Sequence, residues 1–172
     1  KGAVDPMAGA TTLQFAGVSY SVGNLIDGAS GSATGTSGVD FMVAAAGGGT
    51  LIGGDGADIL AGGAGAGVLQ GESLSGDAGA DIYLAGGGAD EIYVYNGALT
   101  GGAVVDGGDG IDTVIRNGST FQMESSAALS SIEVLDANFG AGRDFNLVGS
   151  GNFDLSSVTT LTDINTILGD GD

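Results

Sequence analysis

The sequence predicts an all-β protein built as a parallel β-solenoid, and three observations lead to that prediction. Glycine occupies 37 of the 172 positions. Between residues 35 and 115 the glycines recur in units of nine residues. One large apolar residue recurs at the eighth position of each unit. A solenoid of short strands requires such a column, because each coil buries inward-facing side chains against its neighbours.

The clearest unit is Gly-Gly-Asp-Gly-Ala-Asp-Ile-Leu-Ala at residues 53–61, of the form G-G-x-G-x-D-x-U-x, where U is large and apolar. This pattern predicts a glycine-rich turn that binds calcium, followed by a very short strand. Four units open without a gap at Gly35, Ala44, Gly53 and Gly62. After an insertion at residues 71–75, units open at Gly76 and Ala85, and after a second at residues 94–106 the last opens at Gly107.

Two columns of this alignment are uniform across all seven units. The fourth position holds Gly38, Gly47, Gly56, Gly65, Gly79, Gly88 and Gly110. The eighth position holds Met42, Leu51, Leu60, Leu69, Tyr83, Ile92 and Val114. A turn that directs several carbonyls at one centre uses backbone angles that a Cβ atom opposes. The sequence therefore predicts tight turns at the glycines and an apolar interior at the second set.

The sixth position supplies candidate metal ligands. It is aspartate in five units, at Asp40, Asp58, Asp81, Asp90 and Asp112, and glycine in two, at Gly49 and Gly67. Calcium takes about six to eight oxygen ligands, so one carboxylate per turn must be joined by backbone carbonyls. The adjoining turn positions complete the predicted calcium sites: Gly54, Asp55, Gly56, Asp77, Gly79, Gly86, Gly88, Gly108, Asp109 and Gly110.

The spacing also predicts how the aspartates are divided between the two edges of the roll. Two units make one coil, so alternate units stack on the same edge. One edge carries Asp40, Asp58 and Asp81, joined by Asp112 if the second insertion only lengthens one turn. The other edge carries Gly49, Gly67 and Asp90. We therefore expect a lopsided roll, with calcium along one edge and apolar packing along the other.

The repeat resembles that of the RTX (repeats-in-toxin) proteins, the hemolysin-type calcium-binding β-roll family that Gram-negative bacteria export by type I secretion. The resemblance covers residues 35–115, under half of the chain. It implies a right-handed parallel β-roll that binds several Ca²⁺ ions, in a protein that is secreted or held at the bacterial cell surface. The same module appears in proteases, lipases, toxins, adhesins, surface-layer proteins and polysaccharide epimerases. The resemblance alone therefore does not specify an activity.

Composition excludes several classes of function. The net charge is −18, with 21 acidic and three basic residues, so the chain has no basic surface for nucleic acid. It contains neither cysteine nor histidine, which removes the usual zinc sites and the Ser-His and Cys-His nucleophiles. No apolar run reaches the roughly 18 residues that a membrane span requires. We expect a binding or structural module, not an enzyme.

The flanks divide the chain further. Residues 1–7 are interpreted as a linker or cloning remnant, and residues 8–34 as capping strands, centred on residues 12–22, followed by a connection. Residues 116–172 are predicted to continue as irregular β-solenoid coils. Their strand-like runs lie at residues 121–123, 132–135, 145–148, 153–155 and 164–168. The final Gly-Asp-Gly-Asp has the form of another acidic turn, so the chain is expected to be a fragment of a longer one.

Two functions fit these features. The first is a calcium-binding structural or adhesive module of an exported bacterial surface protein, of the adhesin or S-layer type. It would fold on binding extracellular calcium and could contact neighbouring copies of the surface protein. The alternative is a polysaccharide-binding accessory module of a secreted carbohydrate-modifying enzyme, similar to the R-modules of alginate epimerases. Arg116 and Arg143 are the only cations beyond residue 1 that could line its groove.

Overall fold

The computed structural model describes residues 4–5, 11–15, 18–22, 24–29, 31–71, 80–95, 99, 101–117, 121–138, 143–150 and 152–169. Within these ranges every regular element is a β-strand and none is a helix. The strands are β1 (Val4–Asp5), β2 (Thr11–Phe15), β3 (Val18–Val22), β4 (Asn24–Ala29), β5 (Ser32–Thr34), β6 (Asp40–Ala44), β7 (Thr50–Ile52), β8 (Ile59–Ala61), β9 (Val68–Gln70), β10 (Ile82–Leu84), β11 (Glu91–Tyr95), β12 (Val104–Asp106), β13 (Thr113–Asn117), β14 (Phe121–Glu124), β15 (Ala128–Ser130), β16 (Val134–Asp136), β17 (Arg143–Val148), β18 (Thr160–Thr162) and β19 (Ile164–Gly169).

Two seven-stranded sheets form the body of the molecule. The first has the order β1-β4-β6-β8-β10-β12-β15, and the second has the order β5-β7-β9-β11-β13-β16-β18. From β5 to β13 successive strands alternate between the sheets, and from β4 onward neighbours within each sheet are parallel. The chain therefore winds as a β-solenoid of about five coils, which confirms the predicted fold class.

The interior is made by in-register stacking of the eighth-position residues. Met42 pairs with Leu60 and Leu60 with Tyr83 in the first sheet. In the second sheet Leu51, Leu69, Ile92 and Val114 form the equivalent column. All seven side chains are completely buried. The prediction of an inward-facing apolar column is confirmed. Strand residues two apart point to the same face of the sheet, and in-register pairing stacks the equivalent residues of successive coils on one another.

The coils lengthen along the chain. Equivalent positions are 18 residues apart in the earliest repeats and 21 to 26 apart later. The second insertion accounts for part of this growth, but it is not a lengthened turn. Its last three residues form β12, which pairs in parallel with β10. The insertion therefore adds half a coil.

Beyond the repeats the coil gains a third side. Strands β15, β16 and β18 extend the first two sheets, whereas β14, β17 and β19 form a parallel sheet of their own. The predicted continuation of the solenoid is confirmed, with two differences in detail. Residues 152–155 form no strand, although Phe153 and Leu155 pack against the core. In the run at residues 132–135 the strand begins only at Val134.

The N-terminal residues differ more from expectation. Residues 12–22 were expected to form one or two strands, and β2 and β3 form an antiparallel pair there. The segment interpreted as a connection, in which a degenerate earlier coil was also possible, contains β4 and β5, which pair in parallel with β6 and β7. It therefore forms a further coil without the repeat motif. Within residues 1–7, interpreted as outside the fold, β1 pairs with β4.

Candidate metal centre

Six acidic residues form two ladders, one at each edge where the chain passes between the sheets. The first ladder is Asp40, Asp58 and Asp81, and the second ladder is Asp90, Asp112 and Glu133. Each acid immediately precedes, or begins, a strand of its sheet. Because the strands of successive coils pair in register, each acid of a ladder lies directly over the acid at the equivalent position of the next coil.

Hydrogen bonds between coils fix these carboxylates. In the first ladder the backbone N–H of Asp40 donates to Asp58 Oδ1 at 2.9 Å, and that of Asp58 donates to Asp81 Oδ1 at 2.8 Å. In the second ladder the N–H of Asp90 donates to Asp112 Oδ1 at 2.8 Å. The N–H of Asp112 donates to Glu133 Oε2 at 2.9 Å. The carboxylates of Asp58, Asp81, Asp112 and Glu133 thus take the place of a backbone acceptor where the backbone pairing of the strands ends.

The position of Asp112 corrects the predicted distribution of acids. Because the second insertion contributes strand β12, Asp112 stacks on Asp90 and not on Asp81. The prediction of a lopsided roll with one largely empty edge is therefore wrong. Each edge carries one ladder of three acids. The first ladder lies in the earlier coils and the second ladder in the later coils.

Glu133 was missed because it lies outside the nine-residue frame. Its turn is short, with Ser131 in a left-handed conformation at φ 53°, and the longer glutamate side chain reaches the level that aspartate occupies elsewhere. Its position directly before a strand, 21 residues after Asp112, was the available signal. Only the register shows that this spacing equals one coil.

One carboxylate oxygen remains without a partner at three of these positions. Asp58, Asp90 and Asp112 are at most 1% exposed, and their Oδ2 atoms accept no hydrogen bond from the described part of the chain. Leaving a buried carboxylate oxygen unpaired costs free energy on the order of 1–3 kcal/mol, and more when it is charged. Such atoms indicate a place where a missing ligand would be stabilising.

Two members of the first ladder are satisfied within the protein. Asp40 Oδ2 accepts hydrogen bonds from the Thr36 backbone N–H at 2.6 Å and from the Thr36 hydroxyl at 3.0 Å. Asp81 Oδ2 accepts one from the hydroxyl of Tyr83 at 3.1 Å. Tyr83 thus fills the interior with its ring and supplies a donor to the ladder with its hydroxyl.

Burial disfavours the ionised form of three ladder carboxyl groups, those of Asp58, Asp90 and Asp112. Burial raises the pKa of Asp58 from 3.8 to about 8, although the hydrogen bond from the Asp40 N–H lowers it, and the neighbouring carboxylates of Asp81 and Asp40 raise it further. Burial also raises the pKa values of Asp90 and Asp112. A bound cation would reverse this effect by favouring the charged form.

Glycine leaves room beside the unpartnered oxygens. A Cβ atom on Gly53 would collide with Asp58 Oδ2 and would lie 2.6 Å from the carbonyl oxygen of Gly71. The carboxylate oxygen and a carbonyl of the next coil therefore share one small recess. Gly71 plays the same part for Asp81, whose Oδ2 a Cβ there would strike. Gly71 therefore lies beside Asp81 as Gly53 lies beside Asp58, although the sequence frame assigned Gly71 to an insertion.

The predicted turn conformation occurs in three of the described units. Gly54, Gly56, Gly86, Gly88, Gly108 and Gly110 all have positive φ. A Cβ on Gly56 would also lie 2.9 Å from the backbone of Gly38 in the previous coil. By contrast, Gly38, Gly47 and Gly65 are not left-handed, so the fourth glycine is not conformationally required in every unit. Asp55 and Asp109 use their backbone N–H groups to bind the preceding coil, at 3.2 and 2.8 Å. Asp77 and Gly79 lie outside the described residues.

This arrangement suits a hard cation held by few side chains. Among the described residues, no three acidic side chains converge on one point. A cation in these recesses would therefore take one carboxylate oxygen together with backbone carbonyls, which are the ligand types that calcium accepts. The recess beside Gly53 already holds one of each.

No model of a known protein family, no curated protein and no solved structure matches this chain. In the part of the chain that the structure describes, no helix has the length and apolar character needed to cross a bilayer.

Proposed function

We propose that this chain is a calcium-dependent structural module of an exported bacterial surface protein, of the adhesin or S-layer type and related to the RTX proteins. The observation that carries the proposal is the set of buried Oδ2 atoms of Asp58, Asp90 and Asp112, which accept no hydrogen bond from the residues that the structure describes. Five aspartates at one repeat position would hold several ions together with carbonyls of the glycine turns.

Charge supports a coupling between calcium and folding. The chain carries a net charge of −18, and the ladders stack carboxylates at every coil in which they occur. Without a cation, ionised Asp58 would be buried next to Asp40 and Asp81, which disfavours the folded state. A divalent ion removes that penalty and bridges adjacent turns, so that its binding free energy becomes folding free energy.

This mechanism suits a protein that acts outside the cell. The chain would remain unfolded where calcium is scarce, and it would fold where extracellular calcium fills sites of millimolar-range affinity. The acids then serve assembly of the solenoid and leave its outer faces available for contacts with neighbouring proteins. Adhesion, surface-layer assembly and type I secretion enter the proposal from the resemblance of the repeats to RTX proteins.

The alternative, a polysaccharide-binding module, finds less support. Arg116 was one of two cations available for a uronate groove, but it is 1% exposed. Its Nε and Nη2 atoms donate to the carbonyl oxygen of Ala137 at 2.9 and 2.8 Å. Its guanidinium therefore stabilises the interior of the later coils. The side chain of Arg143 lies outside the described residues.

Far-UV circular dichroism during a calcium titration of chelator-treated protein tests the proposal. We expect the β signal to appear cooperatively with calcium and not with magnesium, which prefers smaller octahedral sites that keep several waters. Asp58→Ala should shift the transition to higher calcium, whereas Asp163→Asn, a change at an exposed acid outside the ladders, should not. Equal β content in chelator and in calcium would refute ion-dependent folding.

A further inference from the structure

The last turn of the repeats faces a turn that does not belong to them. A Cβ atom on Gly107 would collide with the carbonyl oxygen of Ser131 and would lie 2.6 Å from Asp112 Oδ2. The same pair of atoms, an aspartate oxygen and a carbonyl of the next coil, flanks Gly53 within the repeats. Asp112 is completely buried, and its Oδ2 has no partner among the described residues.

Glu133 brings a second carboxylate to this place. Its Oε2 accepts the backbone N–H of Asp112 at 2.9 Å, which sets the carboxylate against the turn at residues 107–112. Its own carbonyl oxygen accepts the N–H groups of Thr159 and Thr160 at 2.9 and 3.0 Å. Glu133 therefore contacts the last repeat with its side chain and the following coil with its backbone.

We propose that Asp112, Glu133 and the carbonyl of Ser131 form a calcium site at the junction between the last nine-residue unit and the coil that follows it. The proposal rests on the proposed function and extends it to residues that no repeat motif marks. Two carboxylates and a carbonyl, in a recess that a side chain on Gly107 would fill, are hard oxygen ligands of the kind calcium prefers. Ser131 holds its carbonyl there through a left-handed backbone conformation.

The site would couple calcium to the C-terminal coils. Strand β16 follows Glu133 directly, and β18 hydrogen bonds to Glu133 and pairs with β16. Occupation of the site would therefore order strands that contain no glycine turn of their own. The calcium-dependent region would extend beyond residue 115, where the repeats end.

Glu133→Gln tests the charge of this site while it preserves the hydrogen bonds of the second ladder. Glutamine keeps an oxygen that can accept the Asp112 N–H but removes the charge, so the fold should be retained. Glu91→Gln is the matched control, since Glu91 is exposed and its Oε2 accepts only a side-chain bond from Tyr93 at 3.1 Å. Asp112→Asn, and the double variant with Glu133→Gln, complete the set.

The readouts are calcium ions bound per full-length chain, by equilibrium dialysis with atomic absorption, and amide hydrogen exchange with and without calcium. We expect Glu133→Gln to bind one ion fewer than the parent and Glu91→Gln to bind the same number. Asp112→Asn should lose that one ion too, and the double variant should lose no more than either single variant. Calcium-dependent protection should disappear at Val134 and Thr160 and persist at Leu60.

The outcomes separate this proposal from the one on which it rests. If Glu133→Gln binds the parental number of ions and keeps protection at Val134, the site is refuted while calcium-dependent folding stands. If Glu133→Gln loses every ion, the assignment to a single junction site is also refuted. If the parent chain binds no calcium, both proposals fail.

Discussion

Asp58→Asn should have opposite effects on the metal-free and the calcium-bound protein. The carboxyl of Asp58 is completely buried, and its pKa is raised from 3.8 to about 8 in the metal-free fold. At pH 7 the folded protein must therefore keep a proton that the unfolded chain has released. That requirement costs on the order of 4 kcal/mol at about 1.4 kcal/mol per pH unit.

The sign of the pH dependence follows from the direction of the shift. A carboxyl whose folded pKa lies above its unfolded value binds a proton on folding, so the penalty is absent below about pH 4. It grows as the pH rises to about 8 and then stays constant. Asparagine cannot ionise, and its amide would lie beside the carbonyl of Gly71. In chelator at pH 7, Asp58→Asn should therefore shift the folding equilibrium toward the folded state by up to about 4 kcal/mol.

The assay, at pH 4, 7 and 8.5, is the far-UV circular dichroism signal of β structure in chelator, where the parent chain is expected to be unfolded at the two higher pH values, together with urea unfolding in calcium. We expect the variant to exceed the parent in chelator at the two higher pH values and to match it at pH 4. Calcium should stabilise the variant less than it stabilises the parent, because the variant lacks one charged ligand. Asp163→Asn, at an exposed acid, should change neither result. A variant that is less stable than the parent in chelator at pH 8.5, or that gains fully from calcium, would refute the reasoning.

Three further results are expected. Adding calcium to metal-free protein at pH 7 should release few protons, because the unfolded chain has already ionised Asp58 and its equivalents, whose pKa values are raised only in the fold. Marked acidification in a pH-stat trace would instead show that the metal-free chain is folded with protonated carboxyl groups. In calcium, Gly56→Ala should lower the free energy of unfolding by about 1–3 kcal/mol, because φ is 116° and the Cβ would press on Gly38. Gly38→Ala, with open space at its Cβ, should be nearly neutral in the same urea titration. Tyr83→Phe should cost about 1–3 kcal/mol in calcium, since it leaves Asp81 Oδ2 without this donor; an unchanged unfolding midpoint would show that the hydroxyl is not needed.

The interior of the solenoid could be predicted from local sequence. Met42, Leu60 and Ile92 stand at one position of a nine-residue unit, and in a strand that spacing alone fixes which face they share. The left-handed glycines of the better units, such as Gly54 and Gly56, could be predicted for the same reason. A turn of defined shape requires particular residue types at consecutive positions, which the local sequence shows.

The assignment of acids to edges could not be predicted in this way. It depends on whether the second insertion contributes a turn or a strand, and Val104–Asp106 forms a strand because β10 and β15 lie on either side and pair with it. Glu133 was beyond the motif for a similar reason. Its role comes from lying one coil above Asp112, and not from any residue adjacent to it in sequence.

The sequence by itself determined that this protein is an all-β solenoid, that one apolar residue per unit faces inward, and that an aspartate ends most turns. These features depend on residues within nine positions of one another in the sequence, whose spacing can be read directly. The tertiary structure alone decided that two ladders of three acids form and that Glu133 continues the second one. It also decided that Asp58, Asp90 and Asp112 each keep one oxygen without a hydrogen-bond partner in the described part of the chain. Those features arise from hydrogen bonds between residues 18 to 23 apart, whose register is set by the stacking of whole coils.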